Sequence, residues 1–221
     1  MTLADKNPAA RLVGVLLLIS LVAILAAVAV VVPSGLALNP ADPAATLAAV
    51  HDHVGLHLTE LAFDVLGWLA LTAAGLVLAG NPDAVIRPHL AVLAGGLLAA
   101  AGLAGLLHDA GNLAVTQLAA EPVDTVAEVA GAVMLTAKWA VNLAGLLWVA
   151  ATAVTAIGAH LPHRLRRAGG FAALAGLAAV VIPWTTGTGG MSPVLEQLGY
   201  ALHLPVMIWY GAVGWHLIRR R

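Results

Sequence analysis

Residues 12–32 read LVGVLLLISLVAILAAVAVVV, an uninterrupted apolar run of 21 residues. Arg11 precedes the run, and the turn-forming sequence Pro33-Ser34-Gly35 follows it. About 20 apolar residues are enough for a helix to cross the hydrocarbon core of a bilayer. The hydrophobic core of a signal peptide is shorter, at about 7–15 residues. We therefore expect residues 12–32 to form a retained signal anchor that spans a membrane.

The composition of the whole chain extends this expectation to the rest of the protein. Hydrophobic residues make up 61% of the 221 residues, charged residues make up 10%, and the mean hydropathy is +0.96. Soluble domains average about 45–50% apolar and about 25% charged residues. So few charges cannot cover a surface that faces water, so a soluble protein and a large extramembrane domain are both excluded. The chain has no cysteine, which excludes disulfides, thiolate zinc sites and cysteine-ligated iron–sulfur clusters.

Further apolar runs are separated by proline- and glycine-containing turn signals, such as Gly80-Asn81-Pro82-Asp83. We predict an all-α polytopic membrane helical bundle in which residues 1–221 form a single domain. Its six predicted transmembrane helices span about residues 12–32, 58–79, 90–107, 126–157, 169–183 and 198–218.

The basic residues sort to one side of these six spans. If the N-terminus is cytoplasmic, nine of the ten lysines and arginines fall in cytoplasmic segments, namely Lys6, Arg11, Arg87, Arg164, Arg166, Arg167, Arg219, Arg220 and Arg221. The positive-inside rule then predicts that both termini are cytoplasmic. We expect a multi-pass protein of the plasma (inner) membrane. We interpret the arginine clusters as contacts to lipid headgroups. No motif suggests a nucleic-acid partner.

Ionisable residues share one face of the second predicted helix, towards its outer end. With His57 set at zero and about 100° per residue, His53 lies near 320°, Glu60 near 300° and Asp64 near 340°. Four ionisable side chains thus occupy an arc of roughly 60°, close enough to share a ligand. Ionisable residues at membrane depth face the bundle interior and need partners. We therefore predict a binding or proton-handling site on this face.

Other helices bring polar residues to a similar depth. The third span closes with His108, Asp109 and Asn112, and the fourth carries Lys138. On the sixth span, a three-then-four spacing places one stripe of residues on a single face: Glu196, Tyr200, His203, Met207 and Tyr210. We predict that Lys138 pairs with an acidic residue of the outer half, namely Asp64 or Glu60, since an unpaired charge in hydrocarbon is costly.

Imidazole and carboxylate groups together suit zinc, iron or copper, and histidines at i and i+4 are a good ligand pair. We predict that four histidines converge in one pocket as metal ligands: His53, His57, His108 and His203. In an enzyme, Glu60 or Asp64 would be the general base and Lys138 would stabilise charge. Alternatively, haem b would lie between His57 or His108 and His203. Its predicted contacts are His108, His203, Met207 and Tyr200.

Two other functions stay open at this point. In a proton-coupled transporter or channel, Glu60, Asp64, His57 and Lys138 would relay protons. Against this, polar residues thin out in the inner half of the predicted bundle. A structural subunit would instead pack against other membrane subunits through its glycine-rich third helix.

The chain resembles small six-helix bacterial integral membrane proteins that are grouped only as domains of unknown function. The resemblance lies in three segments, Ala10-Arg11-Leu12-Val13-Gly14, Arg167-Ala168-Gly169-Gly170, and Trp209 with Trp215-His216-Leu217 running into arginines. It spans the whole chain and implies a six-helix fold, but no activity and no site residue.

Overall fold

The computed structural model describes residues 7–36, 38–81, 87–189 and 192–219, and these residues are helical almost throughout. Six long helices are apolar enough to cross a membrane. A seventh, short helix lies between the first two of them. The helices are α1 (Pro8–Ser34), α2 (Pro43–Asp52), α3 (Val54–Gly80), α4 (Pro88–Leu118), α5 (Val123–Gly158), α6 (His163–Trp184) and α7 (Pro193–Arg219).

Local sequence explains where several of these helices begin and end. The Asn7 side chain accepts hydrogen bonds from the Ala9 and Ala10 amides, and Pro8 occupies the first turn of α1. Gly35, with φ of 70°, ends that helix in the left-handed conformation that glycine tolerates. Asp42 caps α2 by accepting from the Ala45 amide. These capping residues satisfy backbone groups that would otherwise lack partners at the helix ends.

The six long helices form a closed up-and-down ring in the order α1, α3, α4, α5, α6 and α7, with α7 returning to pack on α1. Gly14 near the start of α1 contacts Gly214 near the end of α7. The start of α1 and the end of α7 therefore lie at one end of the ring, which we call the terminal end. The opposite end, which we call the distal end, carries α2 and the turn between α4 and α5.

The buried apolar residues form two clusters, a large one inside the ring and a smaller one at its distal end. A large apolar and aromatic core fills most of the interior and includes Trp68, Trp148 and Tyr210. A smaller cluster, including Leu47, Val50 and Met134, packs α2 onto the distal ends of α4 and α5. The short helix α2 was not predicted from the sequence, because its ten residues lack a membrane-length apolar run.

Each predicted span lies inside one of the six long helices, so the all-helical membrane architecture is confirmed at this level. The third predicted span ended too early, since α4 continues from residue 107 to Leu118. His108, Asp109 and Asn112 suggested a helix end because they are polar. Asp109 and Asn112 are instead buried inside the ring, so the helix passes through them without exposing a charge to lipid.

Candidate functional site

Three ionisable side chains from two adjacent helices meet between α3 and α4. Asp64 of α3 and His108 and Asp109 of α4 each offer one ligand atom, and these atoms lie within 4.8 Å of one another. Asp109 is only 1% exposed, and Asp64 and His108 are half-buried. We call this group the Asp–His–Asp cluster. It is the one group of three potential metal ligands found among the described residues.

The close packing of α3 against α4 creates this meeting point. Gly105 leaves space for the Trp68 ring, which a side chain at residue 105 would overlap. On α4, Asp109 lies four residues after Gly105. On α3, Asp64 lies four residues before Trp68. Each aspartate is therefore about one helical turn nearer to the distal end than the glycine–tryptophan contact. The antiparallel register that brings Trp68 to Gly105 therefore also brings Asp64 opposite Asp109.

The hydrogen bonds of His108 define its tautomer. Its Nδ1 lies 2.9 Å from the Ala137 carbonyl oxygen on α5, so Nδ1 carries the proton and donates it. Its Nε2 lies 3.0 Å from the Asn112 side-chain nitrogen and accepts from that group. The imidazole is therefore neutral and held in a fixed orientation, with the Nε2 lone pair on the side of the ring away from α5.

Within the cluster, the carboxyl group of Asp109 is the one whose burial costs the most free energy. Its carboxyl group is buried, and Asp64 is its one hydrogen-bonding partner among the described residues, in a bond that requires one of the two groups to be protonated. Leaving a buried polar group unpaired costs about 1–3 kcal/mol, and more when the group is charged. Asp64 adds a second carboxyl group beside it, and like charges at this distance cannot both persist without compensation. The pair therefore requires a proton or a bound cation.

A second polar group lies beside the cluster and joins α5 to α7. The Lys138 ammonium forms an ion pair with Glu196, and the Tyr200 hydroxyl donates to the same Glu196 oxygen at 2.7 Å. Asn39, in the segment between α1 and α2, donates to the other Glu196 oxygen at 3.2 Å. Lys138 and Glu196 are also close enough to His108 to act on it electrostatically. We call these four residues the Lys138–Glu196 network.

This network corrects the predicted partner of Lys138. The lysine pairs with an acidic residue, as expected, but the partner is Glu196 and not Asp64 or Glu60. In the ring, α4 separates α5 from α3 and α6 separates α5 from α7, so the order of the helices does not by itself select the partner. Glu196, which is 5% exposed, is the acid whose side chain reaches the lysine from α7.

His57 and Glu60 extend the polar region along α3 towards the distal end. His57 is 1% exposed, and neither of its ring nitrogens has a hydrogen-bond partner among the described residues. Its Nδ1 lies 3.6 Å from a Glu60 oxygen, which is too long for a hydrogen bond. Glu60 in turn acts electrostatically on Asp64, one turn away. The predicted polar face of this helix thus continues into the cluster.

An aromatic layer closes the polar region towards the terminal end. The Trp68 ring lies one turn from Asp64 and packs edge-on against Trp148, with ring centroids 5.7 Å apart. Trp148 packs against Tyr210 at 5.9 Å, and Tyr210 packs against Trp209 at 5.0 Å. These four rings come from three helices of the bundle, so the polar groups lie on the distal side of an aromatic floor.

The four histidines that the sequence analysis grouped together do not converge. His53 is exposed at the junction of α2 and α3. His203 packs against Trp148 and Gly145, eight residues along α5 from the Ala137 carbonyl that holds His108. Eight helical residues correspond to about 12 Å. His108 and His203 therefore lie at different levels along α5.

The other two residues that were predicted to contact haem take part in packing or in hydrogen bonds within the protein. Met207 lies in the apolar core, and Tyr200 belongs to the Lys138–Glu196 network. Asp109 and Asn112 were noted in the sequence but not selected as site residues. The signal was available in their spacing, since Gly105, Asp109 and Asn112 follow each other at four and three residues and so share one helix face.

Comparison of the chain with protein-family models, with curated proteins and with solved structures finds no match. What the site can do therefore follows from its own geometry and chemistry.

Proposed function

We propose that this protein is an integral membrane metalloprotein, and that the Asp–His–Asp cluster holds a divalent transition-metal ion. One observation carries the proposal, namely that the buried carboxyl group of Asp109 lies beside Asp64 and His108 and has only Asp64 to bond to in the described part of the chain. A cation bound there would offset the charges of both carboxylates and replace the proton that the pair otherwise needs. Zinc, manganese or iron would suit a donor set of one imidazole and two carboxylates.

The orientation of His108 favours metal binding. Histidines that bind metal commonly donate the other ring N–H to a carbonyl or carboxylate, which fixes the tautomer and the ring. The Nδ1 of His108 makes such a bond to Ala137. The Nε2 lone pair would become a metal ligand once the Asn112 amide turns aside. Donor atoms of a tetrahedral zinc site lie about 3.4 Å apart. The ligand atoms, which lie within 4.8 Å of one another, would therefore move closer by up to about 1.4 Å around an ion.

Three protein ligands would leave a coordination position for water. This is the pattern of catalytic zinc sites, where the ion activates the bound water or polarises a substrate carbonyl. We therefore favour a metal-dependent enzyme whose substrate reaches the site from the distal end or from the lipid. The positive charge of Lys138 would lie next to the site, although Glu196 neutralises most of it.

A proton-coupled carrier is the second candidate, and the adjacent Asp64 and Asp109 carboxyl groups are the observation in its favour. Two such groups can share one proton and release it when a partner approaches. The aromatic floor formed by Trp68, Trp148, Tyr210 and Trp209 opposes this candidate. A transport path would have to continue through these rings to the terminal end.

Metal analysis of the detergent-purified protein tests the proposal. Protein stripped with a chelator and resupplied with Zn²⁺ or Mn²⁺ is expected to retain metal after gel filtration. His108→Ala and Asp109→Asn are expected to lower the metal content by at least one equivalent per chain. His163→Ala is the matched control, because His163 is exposed at the terminal end of α6.

Two outcomes would contradict the proposal. One is a wild-type protein that retains no metal under these conditions, and the other is equal metal content in His108→Ala and His163→Ala. Proton uptake into vesicles that contain the purified protein, abolished by Asp109→Asn, would then favour the carrier.

A further inference from the structure

Asn112 lies beside the Asp–His–Asp cluster without being one of its three ligand residues. Its side-chain nitrogen is 3.0 Å from the Nε2 atom of His108, which is the atom that would bind the metal. Asn112 is 6% exposed, so its amide group has little access to water. The Thr116 hydroxyl donates to the backbone carbonyl of Asn112 and therefore does not hold the side-chain amide in place.

Helical spacing places Asn112 between the two cluster residues of α4. At about 100° per residue, Asn112 lies about 40° from His108 and about 60° from Asp109 around the helix axis. It follows them by four and three residues, so the three side chains are neighbours on one helix face. Asp64 joins the same group of ligand atoms from α3. An ion held by the cluster would therefore lie next to the Asn112 amide.

The Asn112 amide has a suitable group for His108 both without and with a metal ion. Without metal, the Nε2 lone pair accepts a hydrogen bond from the amide nitrogen. Once Nε2 binds a cation, an N–H group at the same place would be repelled by the positive charge. An asparagine side chain carries an oxygen acceptor beside its nitrogen, and its terminal torsion is roughly two-fold. A half-turn would therefore bring the amide oxygen to the ion while the helix stays unchanged.

The distance between Asn112 and His108 fits two ligands of one six-coordinate ion. After the half-turn, the amide oxygen would take the place of the nitrogen, about 3.0 Å from Nε2. Adjacent ligand atoms on an octahedral ion, with bonds of about 2.0–2.1 Å, lie about 2.9 Å apart. The two atoms would thus need almost no change in spacing to share an ion.

We propose that the amide oxygen of Asn112 is a fourth protein ligand and that the site holds a six-coordinate ion, with Mn²⁺ as the best match. This inference rests on the proposed metal site and adds a residue to it. One imidazole, two carboxylates and one amide oxygen form an oxygen-rich set of ligands, and carboxylate and carbonyl oxygens suit Mn²⁺. Four protein ligands leave two positions of an octahedral ion for water or substrate.

Mn²⁺ binding to the full-length, detergent-purified protein tests the fourth ligand, with free Mn²⁺ measured by electron paramagnetic resonance. Asn112→Leu has a similar volume but no oxygen, and it should weaken binding on the order of 100-fold, the upper end of the loss caused by removing even a supporting group. Asn112→Asp keeps an oxygen there and should bind at least as tightly as wild type. Gln117→Leu is the matched control, because it removes an exposed amide from the same helix and should leave binding unchanged.

Co²⁺ provides an independent signature of the coordination number. Six-coordinate Co²⁺ absorbs visible light weakly, whereas four-coordinate Co²⁺ absorbs it strongly. We expect weak absorption from the wild-type protein loaded with Co²⁺. Strong absorption would overturn the six-coordinate site.

The two proposals fail in different ways. If Asn112→Leu binds Mn²⁺ as tightly as wild type, or more tightly, the amide only competes with the metal for the Nε2 lone pair. That result overturns the fourth ligand and leaves the metal site standing. Loss of binding in both Asn112→Leu and Asn112→Asp would assign Asn112 a packing role and would also overturn the fourth ligand. No bound metal in the wild type overturns both proposals.

Discussion

Lys138 and Glu196 show how a single pair of residues links distant parts of the chain. Both side chains are nearly buried, with 12% and 6% of their surfaces exposed, and they are 58 residues apart in sequence. Their ion pair ties α5 to α7, while Asn39 and Tyr200 complete the bonding of the carboxylate. Burying such a pair is costly, but removing one partner is costlier, because the other charge is left buried alone.

The ion pair between Lys138 and Glu196 leads to a prediction about the free energy of unfolding of single and double variants. Lys138→Met should lower the free energy of unfolding by about 3 kcal/mol, and the double change with Glu196→Gln should recover a large part of that loss. Unfolding of the detergent-purified variants by sodium dodecyl sulfate measures both the loss of stability in Lys138→Met and its recovery in the double variant. The combination of Lys138→Met with Asp64→Asn is the control and should show a smaller coupling. Additive effects of Lys138→Met and Glu196→Gln would count against the ion pair.

Among the elements, α4 shows most clearly how small residues position the site. Its glycines let α3 approach so closely that backbone atoms of the two helices touch. A Cβ at Gly95 would lie 2.5 Å from the Gly75 carbonyl oxygen and 2.6 Å from the Ala79 nitrogen. Backbone atoms cannot move aside as a flexible side chain can. This close approach, typical of membrane helices with small residues at the interface, sets the register that brings Asp64 to Asp109.

Neighbouring glycines on α4 provide a matched test of this packing. Gly95→Ala should destabilise the protein by about 1–3 kcal/mol through overpacking against α3. Gly96→Ala should be neutral or slightly stabilising, because nothing lies within 4 Å of its added Cβ and alanine favours a helix by up to about 1 kcal/mol. Thermal unfolding in detergent compares the two. Equal effects of both changes would mean that α3 and α4 do not pack through Gly95.

At the scale of the whole molecule, the closed ring of six helices places the start of α1 beside the end of α7, and the polar site lies towards the opposite end. The arginines of the helix termini, including Arg87, Arg164 and Arg219, fall at the terminal end. The positive-inside rule predicts that the terminal end is cytoplasmic. The Asp–His–Asp cluster would then face the outer half of the bilayer.

The absence of cysteine makes this topology easy to test. Single cysteines replacing Arg164 and Ser192, both exposed, should be labelled from opposite sides by a membrane-impermeant maleimide. In intact cells only the Ser192→Cys protein should react, and in inside-out vesicles only the Arg164→Cys protein. Labelling of both positions from the same side would mean that the chain does not cross the membrane between them.

The sequence alone determined that this is a helical membrane protein with six long apolar helices, because hydrophobic length and scarcity of charge are local properties. It also determined that His57, Glu60 and Asp64 share a face, since helical spacing is fixed by the backbone. Only the tertiary structure decided which helices lie side by side. The packing of the helices places His203 and His108 at different levels, pairs Lys138 with Glu196, and joins Asp64 to Asp109. The physical reason is that partners across helices depend on the register of close glycine contacts, which involves pairs of residues far apart in the chain.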